Sequence, residues 1–216
     1  MDYQNVHLTG HDLFAAHSGL RRHESLIDPL LFAAELIRTR NRIQRTGYDH
    51  AVLSRVLVYR GLPSPDQDAE QYARNLAQKA HWERDPRVRV TSRPLKYDYE
   101  RDASGRRVLD VNGRPITVGR PREKGIDVLC ALALVREAAH PTTDLVILAS
   151  RDSDLRPALD EALDLGRAKI ETTTWHDPLR PGQCRPLQPD DEKRRLWNTR
   201  LSETEFQRSL DRRNYA

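Results

Sequence analysis

Cysteine is scarce in this chain, which has only Cys130 and Cys184 among its 216 residues. Two cysteines do not make a disulfide framework, so a hydrophobic core must stabilise the fold, and a reducing cytoplasmic environment is expected. Long apolar runs are also missing: the longest, from Val128 to Val135, has eight residues, whereas a membrane-spanning helix needs about 20. The N-terminal residues contain neither a basic leader nor an apolar signal core, so we expect neither membrane insertion nor secretion.

The sequence also has no glycine-rich phosphate-binding loop, no internal repeat and no low-complexity tract. The first absence argues against nucleotide triphosphate hydrolysis of the P-loop type. Apolar residues still make up 38% of the chain, which is enough for a core. The 36 basic residues outnumber the 32 acidic ones, and almost all of them are arginines, whose planar side chain suits bidentate phosphate contacts. This charge balance permits a nucleic-acid partner.

Helical and strand patterns alternate along most of the chain. Apolar spacing and cap residues predict helices at about 29–44, 66–85, 125–140, 151–166 and 202–212. Apolar and β-branched runs predict strands at 52–59, 88–91, 144–150 and 168–174. Alternating strands and helices predict an α/β fold with a mostly parallel sheet covered on both faces. The length fits a single domain, 1–216, with a C-terminal helical tail at about 190–216.

One segment departs from this alternation. Residues 108–118 place Asn112-Gly113 between alternating apolar residues, which is a strong signal for a β-hairpin. A further turn at Ser104-Gly105 adds 96–100 as a third antiparallel strand. We therefore expect an inserted antiparallel hairpin or meander at about 94–119.

Acidic residues directly follow the predicted strand 144–150. They are Asp152 and Asp154, and the hydroxyls of Ser150 and Ser153 lie beside them in the sequence. Ligands of an open parallel sheet bind beyond the carboxyl ends of its strands, so these carboxylates are candidates for a functional site. The structural alternative is that Asp152 or Ser153 only caps the following helix.

Other polar residues can join this group. Asp127 lies in the first turn of the predicted helix 125–140, where it is either a functional acid or an ordinary helix residue neutralised by Lys124. Asp2 and Asn5 are separated by two residues, and this spacing alone is only a weak signal for a functional site. Several carboxylates in one crevice repel one another unless a divalent cation lies between them, and hard oxygen ligands select Mg²⁺ or Mn²⁺. Such a cation can activate water and neutralise the charge of a phosphoryl displacement.

Three segments carry a resemblance to a known family. EKGIDVLCALALV at 123–135 and LVILASRDSDLRPAL at 145–159, together with DYQN at the N-terminus, resemble the NYN domains of the PIN-like nuclease superfamily. The resemblance covers nearly the whole chain and implies a PIN-like, Rossmann-like three-layer α/β/α sandwich. It also implies a ribonuclease that hydrolyses RNA phosphodiester bonds at an acidic Mg²⁺ or Mn²⁺ centre. On this interpretation Asn5 orients the site, and the metal is held, directly or through water, by Asp2, Asp127, Asp152 and Asp154.

Two positions depart from the family pattern. Arg151 stands where the family usually has Gly or Asn, and its guanidinium lies either near the scissile phosphate or in its way. Only Met1 precedes Asp2, whereas the family's first aspartate ends a central strand. Either the chain lacks that strand, or the sheet forms without it and Asp2 is poorly held. A site displaced by ~1 Å can lose on the order of 100-fold in rate, so we expect weaker activity than for a chain extended upstream.

We expect RNA to contact residues beside the acids and on the meander. The first group consists of Lys124, Ser150, Arg151, Ser153, Arg120 and Arg122. In the meander, aromatic side chains can stack on bases and arginines can contact phosphates. These candidates are Tyr97, Tyr99, Arg106, Arg107 and Arg114. The alternative is that an exposed hairpin is charged for solubility and to prevent edge-to-edge pairing.

Three functions remain open from the sequence. The favoured one is a metal-dependent ribonuclease with RNA as its partner, and a homodimer is left open. The second is a nucleic-acid-binding or regulatory module that keeps the fold and the acids without effective catalysis, and the third is a metal-dependent phosphoesterase acting on a small nucleotide. A zinc site is not expected, because the N-terminal histidines lack cysteines and a marked zinc-binding helix turn and are predicted to be exposed. They are His7, His11, His17 and His23.

Overall fold

The computed structural model describes residues 1–215 and has an α/β architecture. Helices α1 to α6 are Tyr3–Phe14, Pro29–Ile43, Ala69–Trp82, Ile126–Ala139, Arg156–Leu165 and Glu203–Arg208. Strands β1 to β7 are Val56–Leu62, Val88–Pro94, Lys96–Tyr99, Thr117–Arg122, Leu145–Ala149, Lys169–Trp175 and Trp197–Leu201. None of these helices combines the length and apolarity needed to cross a bilayer.

The strands form two parallel sheets and one antiparallel pair. β1 pairs with β2, the second sheet has the order β5-β6-β7, and β3 pairs with β4. Met1 and Asp2 lie between the two parallel sheets. The Asp2 N–H donates to the Ala149 carbonyl of β5 at 3.1 Å, and the Tyr59 N–H of β1 donates to the Met1 carbonyl at 3.0 Å. Two residues of extended chain therefore connect β1 with β5 immediately before α1 begins.

Alternate residues of the strands contribute to two hydrophobic cores. In β1, Val56 and Val58 pack in a core with residues of α1, α2 and α6, whereas Leu57 and Tyr59 belong to a core with α4 and α5. Successive side chains of a strand point to opposite faces. Helices α1 and α2 therefore lie against one face of β1 and α4 against the other.

Most predicted elements are confirmed within a few residues. For the helices, the predicted and observed boundaries agree because cap residues mark the helix ends in the sequence. The Asp28 carboxylate accepts hydrogen bonds from the Leu30 and Leu31 N–H groups at the start of α2, and Gly166 ends α5 with a φ of 60°. The confirmed predictions are the helices at 29–44, 66–85, 125–140 and 151–166 and the strands at 88–91, 144–150 and 168–174.

The strand predicted at 52–59 is displaced toward the C-terminus. It begins at Val56, where pairing with β2 starts, and Val52 is exposed. It continues through Gly61 to Leu62, because Gly61 pairs with Arg93 in the parallel ladder. The glycine therefore does not end this strand as its turn preference suggests.

The N-terminal helix α1 is not predicted by the apolar pattern, because its buried face includes polar rings. His7 and His11 are buried, so the prediction that they are exposed is wrong. A His7 ring nitrogen, Nε2, donates to the Arg22 carbonyl at 2.9 Å, and the His11 Nδ1 shares a hydrogen bond with the Ser25 hydroxyl at 2.8 Å. These partners satisfy the imidazoles inside the fold. The other two histidines of this segment are exposed as predicted.

The antiparallel insertion is confirmed, but its strands differ from the prediction. β3 pairs directly with β4, and two tight turns, at 102–105 and 110–113, lie between them. Residues 108–111 form no regular strand, but Leu109 forms an isolated bridge with Pro115, and backbone hydrogen bonds join Val108 to Glu100 and Ile116 at 3.0 and 2.9 Å. The hairpin around Asn112-Gly113 is therefore shorter than the sequence pattern indicates.

The C-terminal segment is only partly helical, which corrects the prediction of a helical tail at 190–216. Its strand β7 pairs in parallel with β6, and α6 has only six residues. Leu201 and Phe206 are fully buried. A strand after the proline-rich stretch was missed because the run from Trp197 to Leu201 is short and interrupted by polar residues.

Candidate active site

Asp2 is the innermost acid of the predicted set, with 7% of its surface exposed. Its Oδ1 accepts the Asn5 N–H at 3.1 Å and so caps α1, and the Ser150 hydroxyl donates to its Oδ2 at 3.2 Å. Burial raises the pKa of Asp2, and the nearby Asp152 adds to the rise. The expectation that Asp2 is poorly held is therefore wrong, because its backbone and both carboxylate oxygens have partners.

Ser150 connects the two ends of the site. Its hydroxyl donates to Asp2 and accepts the Asp152 N–H at 3.2 Å. The Asp152 carboxylate in turn accepts the Asp154 N–H at 3.0 Å and caps the short 3₁₀ turn at 153–155. The capping alternative is thus confirmed for Asp152, but the same residue also lies beside Asp2. Ser150 itself is only 1% exposed, so its observed role is to bridge Asp2 and the Asp152 backbone, and its contact with substrate stays a prediction.

Asn5 holds the first turn of α1 against the end of β5. Its Oδ1 accepts the Arg151 N–H at 2.9 Å. The side chain of Arg151 lies beside Asn5 and Ser150 along a small pocket that also includes Thr9, and its Nε is buried without a hydrogen-bond partner. Asn5 therefore fixes the backbone at the point where the chain leaves β5.

Asp127 occupies the first turn of α4, as predicted, behind a helix start at Gly125 that has no side-chain cap. Lys124 is exposed, and no ion pair joins it to Asp127 in the described part of the chain, so neutralisation by this lysine is not observed. The pKa of the buried Cys130 thiol is raised to about 12, first by burial and then by several acids. The acids among those causes are Asp2, Glu123 and Asp127.

Glu123 is a site residue that the sequence analysis did not assign. Its Oε1 accepts the Gly61 N–H of β1, and the Gln4 amide, with its nitrogen turned toward Glu123, donates to both carboxylate oxygens at 3.0 and 2.9 Å. Burial raises the pKa of Glu123 to about 7, and Asp2 adds to this rise. The available signal was its position, directly before the Lys124-Gly125 step of the recognised motif.

An open cleft of about 330 Å³ lies over this group. It is lined by Asp2, Gln4, Asn5, Leu8, Thr9, Asp12 and Glu123. Asp127 and Asp152 are half-buried and are not among the lining residues, and Asp154 is exposed on the surface. Among residues 1–215, no three Asp, Glu, His or Cys side chains converge closely enough to hold one ion. The structure thus brings Asp2 close to Asp152 and Glu123 but does not preassemble the four-acid set.

Most of the predicted RNA-contacting residues are exposed or partly exposed, and none of them lines the acidic cleft. Ser153, Arg120 and Arg122 are exposed, and Arg122 forms an ion pair with Asp98 in the β3-β4 ladder. In the meander, the Arg107 guanidinium lies 4.3 Å from the centre of the Tyr99 ring. The Tyr97 hydroxyl accepts the Ser64 N–H at 2.9 Å. Both tyrosines are therefore engaged within the protein and are only partly exposed.

No family model matches the chain, and neither a characterised protein nor a solved structure shows significant similarity to it. The resemblance to NYN domains therefore stays a prediction that rests on the motifs themselves. The geometry of the acids is the remaining ground for assigning a function.

Proposed function

We propose that this protein is a metal-dependent ribonuclease whose centre is built around Asp2. The observation that carries the proposal is a buried carboxylate without a cationic side chain beside it. Asp2 forms no ion pair within residues 1–215, yet it faces a cleft shared with Glu123 and lies next to Asp152. The Met1 ammonium lowers the pKa of Asp2, but burial raises it more. Burying an acid without an ion pair is costly for stability, and such acids cluster at functional sites.

The proposed architecture is one mostly parallel sheet in the order β2-β1-β5-β6-β7, with Met1 and Asp2 between β1 and β5. Hydrogen bonds from these two residues to both neighbours support it, as do two cores on opposite faces of β1. This arrangement corresponds to the three-layer PIN-like sandwich that the resemblance implies. In it the acids stand at the carboxyl ends of central strands, where parallel sheets bind ligands.

The donor set fits a hard divalent cation. Asp2 and Asp152 would hold Mg²⁺ or Mn²⁺, with Asp127 and Asp154 contributing directly or through water, because carboxylate oxygens are the ligands that these ions select. When bound, such an ion supplies an activated water and neutralises negative charge on the phosphate. The side chains around Asp2 would then determine how rigid this centre is and how easily water and substrate reach it.

The residues around Asp2 position it and limit its contact with water. Ser150 and the Asn5 N–H each hold one carboxylate oxygen of Asp2. The Asn5 side chain fixes the Arg151 backbone, which keeps the following turn near Asp2. Arg151 has a guanidinium nitrogen without a partner beside this turn, and a guanidinium suits a phosphate oxygen.

The test is cleavage of end-labelled single-stranded and structured RNAs in Mn²⁺, Mg²⁺ or EDTA. The double variant Asp152→Asn, Asp154→Asn is compared with Asp164→Asn, which removes an exposed acid of α5 that pairs with Arg194. We expect cutting that needs the metal, that is lost in the double variant and that is retained in the control. Equal cutting in EDTA, or by the double variant, would refute the proposal.

Two other outcomes identify the alternatives. RNA binding without any metal-stimulated cutting would favour a nucleic-acid-binding or regulatory module of the same fold. Hydrolysis of mononucleotide esters in preference to oligomers would favour a small-nucleotide phosphoesterase, which the same acids can support. Parallel assays on one protein preparation separate all three functions.

A further inference from the structure

A second cavity, of about 290 Å³, adjoins the cleft and has the opposite charge. It lies between α1, β1 and α3. Four arginines line it, namely Arg22, Arg60, Arg74 and Arg213, and Glu123 is the only carboxylic acid among the lining residues. The cavity is therefore strongly cationic, whereas the neighbouring cleft is acidic.

Arg60 forms the inner wall of this cavity and is 9% exposed. Its Nη1 donates to the Gln78 Oε1 at 2.8 Å, and its guanidinium lies 4.7 Å from the Tyr3 ring centre and 5.3 Å from that of Trp82. No ion pair to Arg60 is present in residues 1–215. The two aromatic rings and the Gln78 amide offset part of the free-energy cost of burying the Arg60 cation. A buried cation is usually compensated by a negatively charged group, which a bound phosphate would supply.

The remaining arginines keep most of their positive charge available. Arg22 and Arg74 pair with Asp12 and Glu70, whose side chains are 57% and 76% exposed. The attraction between the charges of such exposed ion pairs is weak, so both arginines can exchange these partners for a phosphate. Arg213 is exposed and forms no ion pair within the described residues. The carboxylate of Glu123, which accepts the Gly61 N–H, raises the pKa of Arg60, but burial lowers that pKa more, so Glu123 offsets only part of the cost of burying Arg60.

We propose that this arginine cavity binds the phosphate monoester of one nucleotide, with Arg60 as the innermost phosphate ligand. A monoester carries nearly two negative charges at neutral pH, which suits four arginines better than the single charge of a diester. Guanidinium forks bind phosphate oxygens in bidentate fashion. The volume is close to the lower limit for small-ligand pockets, about 300 Å³, which fits one nucleotide and excludes a duplex.

The position of the cavity suggests how it serves the candidate active site. Gln4, Leu8 and Glu123 line both the arginine cavity and the acidic cleft. A terminal phosphate held by Arg60 would place the following nucleotides of the same strand along the cleft. This link to cleavage rests on the proposed ribonuclease function, whereas phosphate binding itself does not. The monoester can belong to a free nucleoside monophosphate or to the phosphorylated end of an RNA.

The test is isothermal titration in EDTA, so that no catalytic metal contributes, with adenosine 5′-monophosphate and inorganic phosphate as probes. The key variant is Gln78→Glu, which supplies Arg60 with a carboxylate of the same shape. The matched control is Gln44→Glu, because Gln44 accepts a hydrogen bond from Arg40 far from the cavity. Arg74→Gln is a second variant that removes a cation at the rim and leaves Arg60 unchanged.

We expect saturable binding to the unaltered protein, weakened about tenfold or more by Gln78→Glu and severalfold by Arg74→Gln, since each change lowers the positive charge available to phosphate. Gln44→Glu should bind like the unaltered protein. Thermal unfolding checks that Gln78→Glu is folded; if it is not, Arg74→Gln decides. The proposal would be overturned if the unaltered protein did not bind phosphate. It would also be overturned if both cavity variants bound phosphate as tightly as the unaltered protein does.

A second arm distinguishes the two sources of the monoester. Short RNAs with a 5′-phosphate or a 5′-hydroxyl are compared in the same EDTA buffer. Tighter binding of the phosphorylated RNA identifies a strand end, and binding of the mononucleotide alone identifies a free nucleotide; either outcome supports the cavity. If phosphate binds but no RNA is ever cut, the ribonuclease proposal fails and the cavity proposal stands.

Discussion

At the scale of single residues, one buried hydroxyl organises the candidate site. Ser150 contacts both the Asp2 carboxylate and the Asp152 backbone, although the two aspartates are 150 positions apart in the sequence. The sequence identified Asp2, Asp152 and Ser150 as candidates but did not predict that the serine bridges the two aspartates. Its burial follows from the end of β5 packing against α1, which no local pattern reveals.

Replacing this serine tests its bridging role. Ser150→Ala leaves Asp2 Oδ2 and the Asp152 N–H without their shared partner. We expect the free energy of unfolding to fall by about 1–3 kcal/mol and RNA cleavage to fall by about 10- to 100-fold, as for other residues that orient metal ligands. Urea unfolding and cleavage rates in Mn²⁺ check both. The matched control Ser18→Ala alters an exposed hydroxyl to which no role in the site is assigned, and similar losses in it would contradict the bridging role.

The second residue prediction concerns pH. Glu123 has a pKa of about 7 in the fold against an ordinary value of 4.5, so between these values the folded chain binds more protons than the unfolded one. The stability from protonated Glu123 is complete below about pH 4.5 and is lost as the pH rises through about 7. In EDTA, the unfolding temperature of the unaltered protein should therefore fall as the pH rises from about 4.5 to about 7. For Glu123→Gln, the unfolding temperature should change less with pH and should be higher than that of the unaltered protein above pH 7. Parallel pH profiles of the two proteins would contradict a raised pKa of Glu123.

At the scale of elements, the sequence predicted those whose signals are local. Helices α2 and α5 carry their own cap residues, and β5 is a continuous apolar run. Helix α1 was missed because Gly10 and two buried histidines break its apolar stripe. Gly10 is required there, since a Cβ at this position would lie 2.9 Å from both Phe206 and Trp175. These constraints come from distant residues, so a local pattern cannot show them.

Strand β6 provides a prediction at this scale, because it buries a charge. Glu171 is fully buried and accepts hydrogen bonds from the Arg40 guanidinium of α2 at 3.0 and 3.1 Å. Glu171→Ala leaves Arg40 buried without its carboxylate, and we expect a loss of about 3–5 kcal/mol in the free energy of unfolding. Lys169→Ala removes the more exposed partner of Glu171 and should cost much less. Similar losses in urea titrations of both variants would contradict the importance of the α2-β6 pair.

At the scale of the whole molecule, an acidic cleft and an arginine-lined cavity adjoin each other, and the two proposals assign one function to each. The acids at the strand ends were predicted from the sequence because they follow recognisable strands and a recognisable motif. The arginine cavity was not, because Arg60 and Arg213 are far apart in the sequence and only the packing of α1 against β1 and α3 brings them together. Overall charge, with 36 basic and 32 acidic residues, permits a nucleic-acid partner without showing one.

The measurement that tests the proposed function most directly is RNA cleavage by Asp2→Asn in saturating Mn²⁺. Asp12→Asn is the control, because Asp12 lines the same cleft but is exposed and pairs only distantly with Arg22. With a buried carboxylate at the metal centre, we expect Asp2→Asn to stay folded, to bind RNA in EDTA and to lose about 100-fold or more of the cleavage rate. Asp12→Asn should cut nearly as fast as the unaltered protein. Full cleavage by a folded Asp2→Asn protein would contradict an active site built around Asp2.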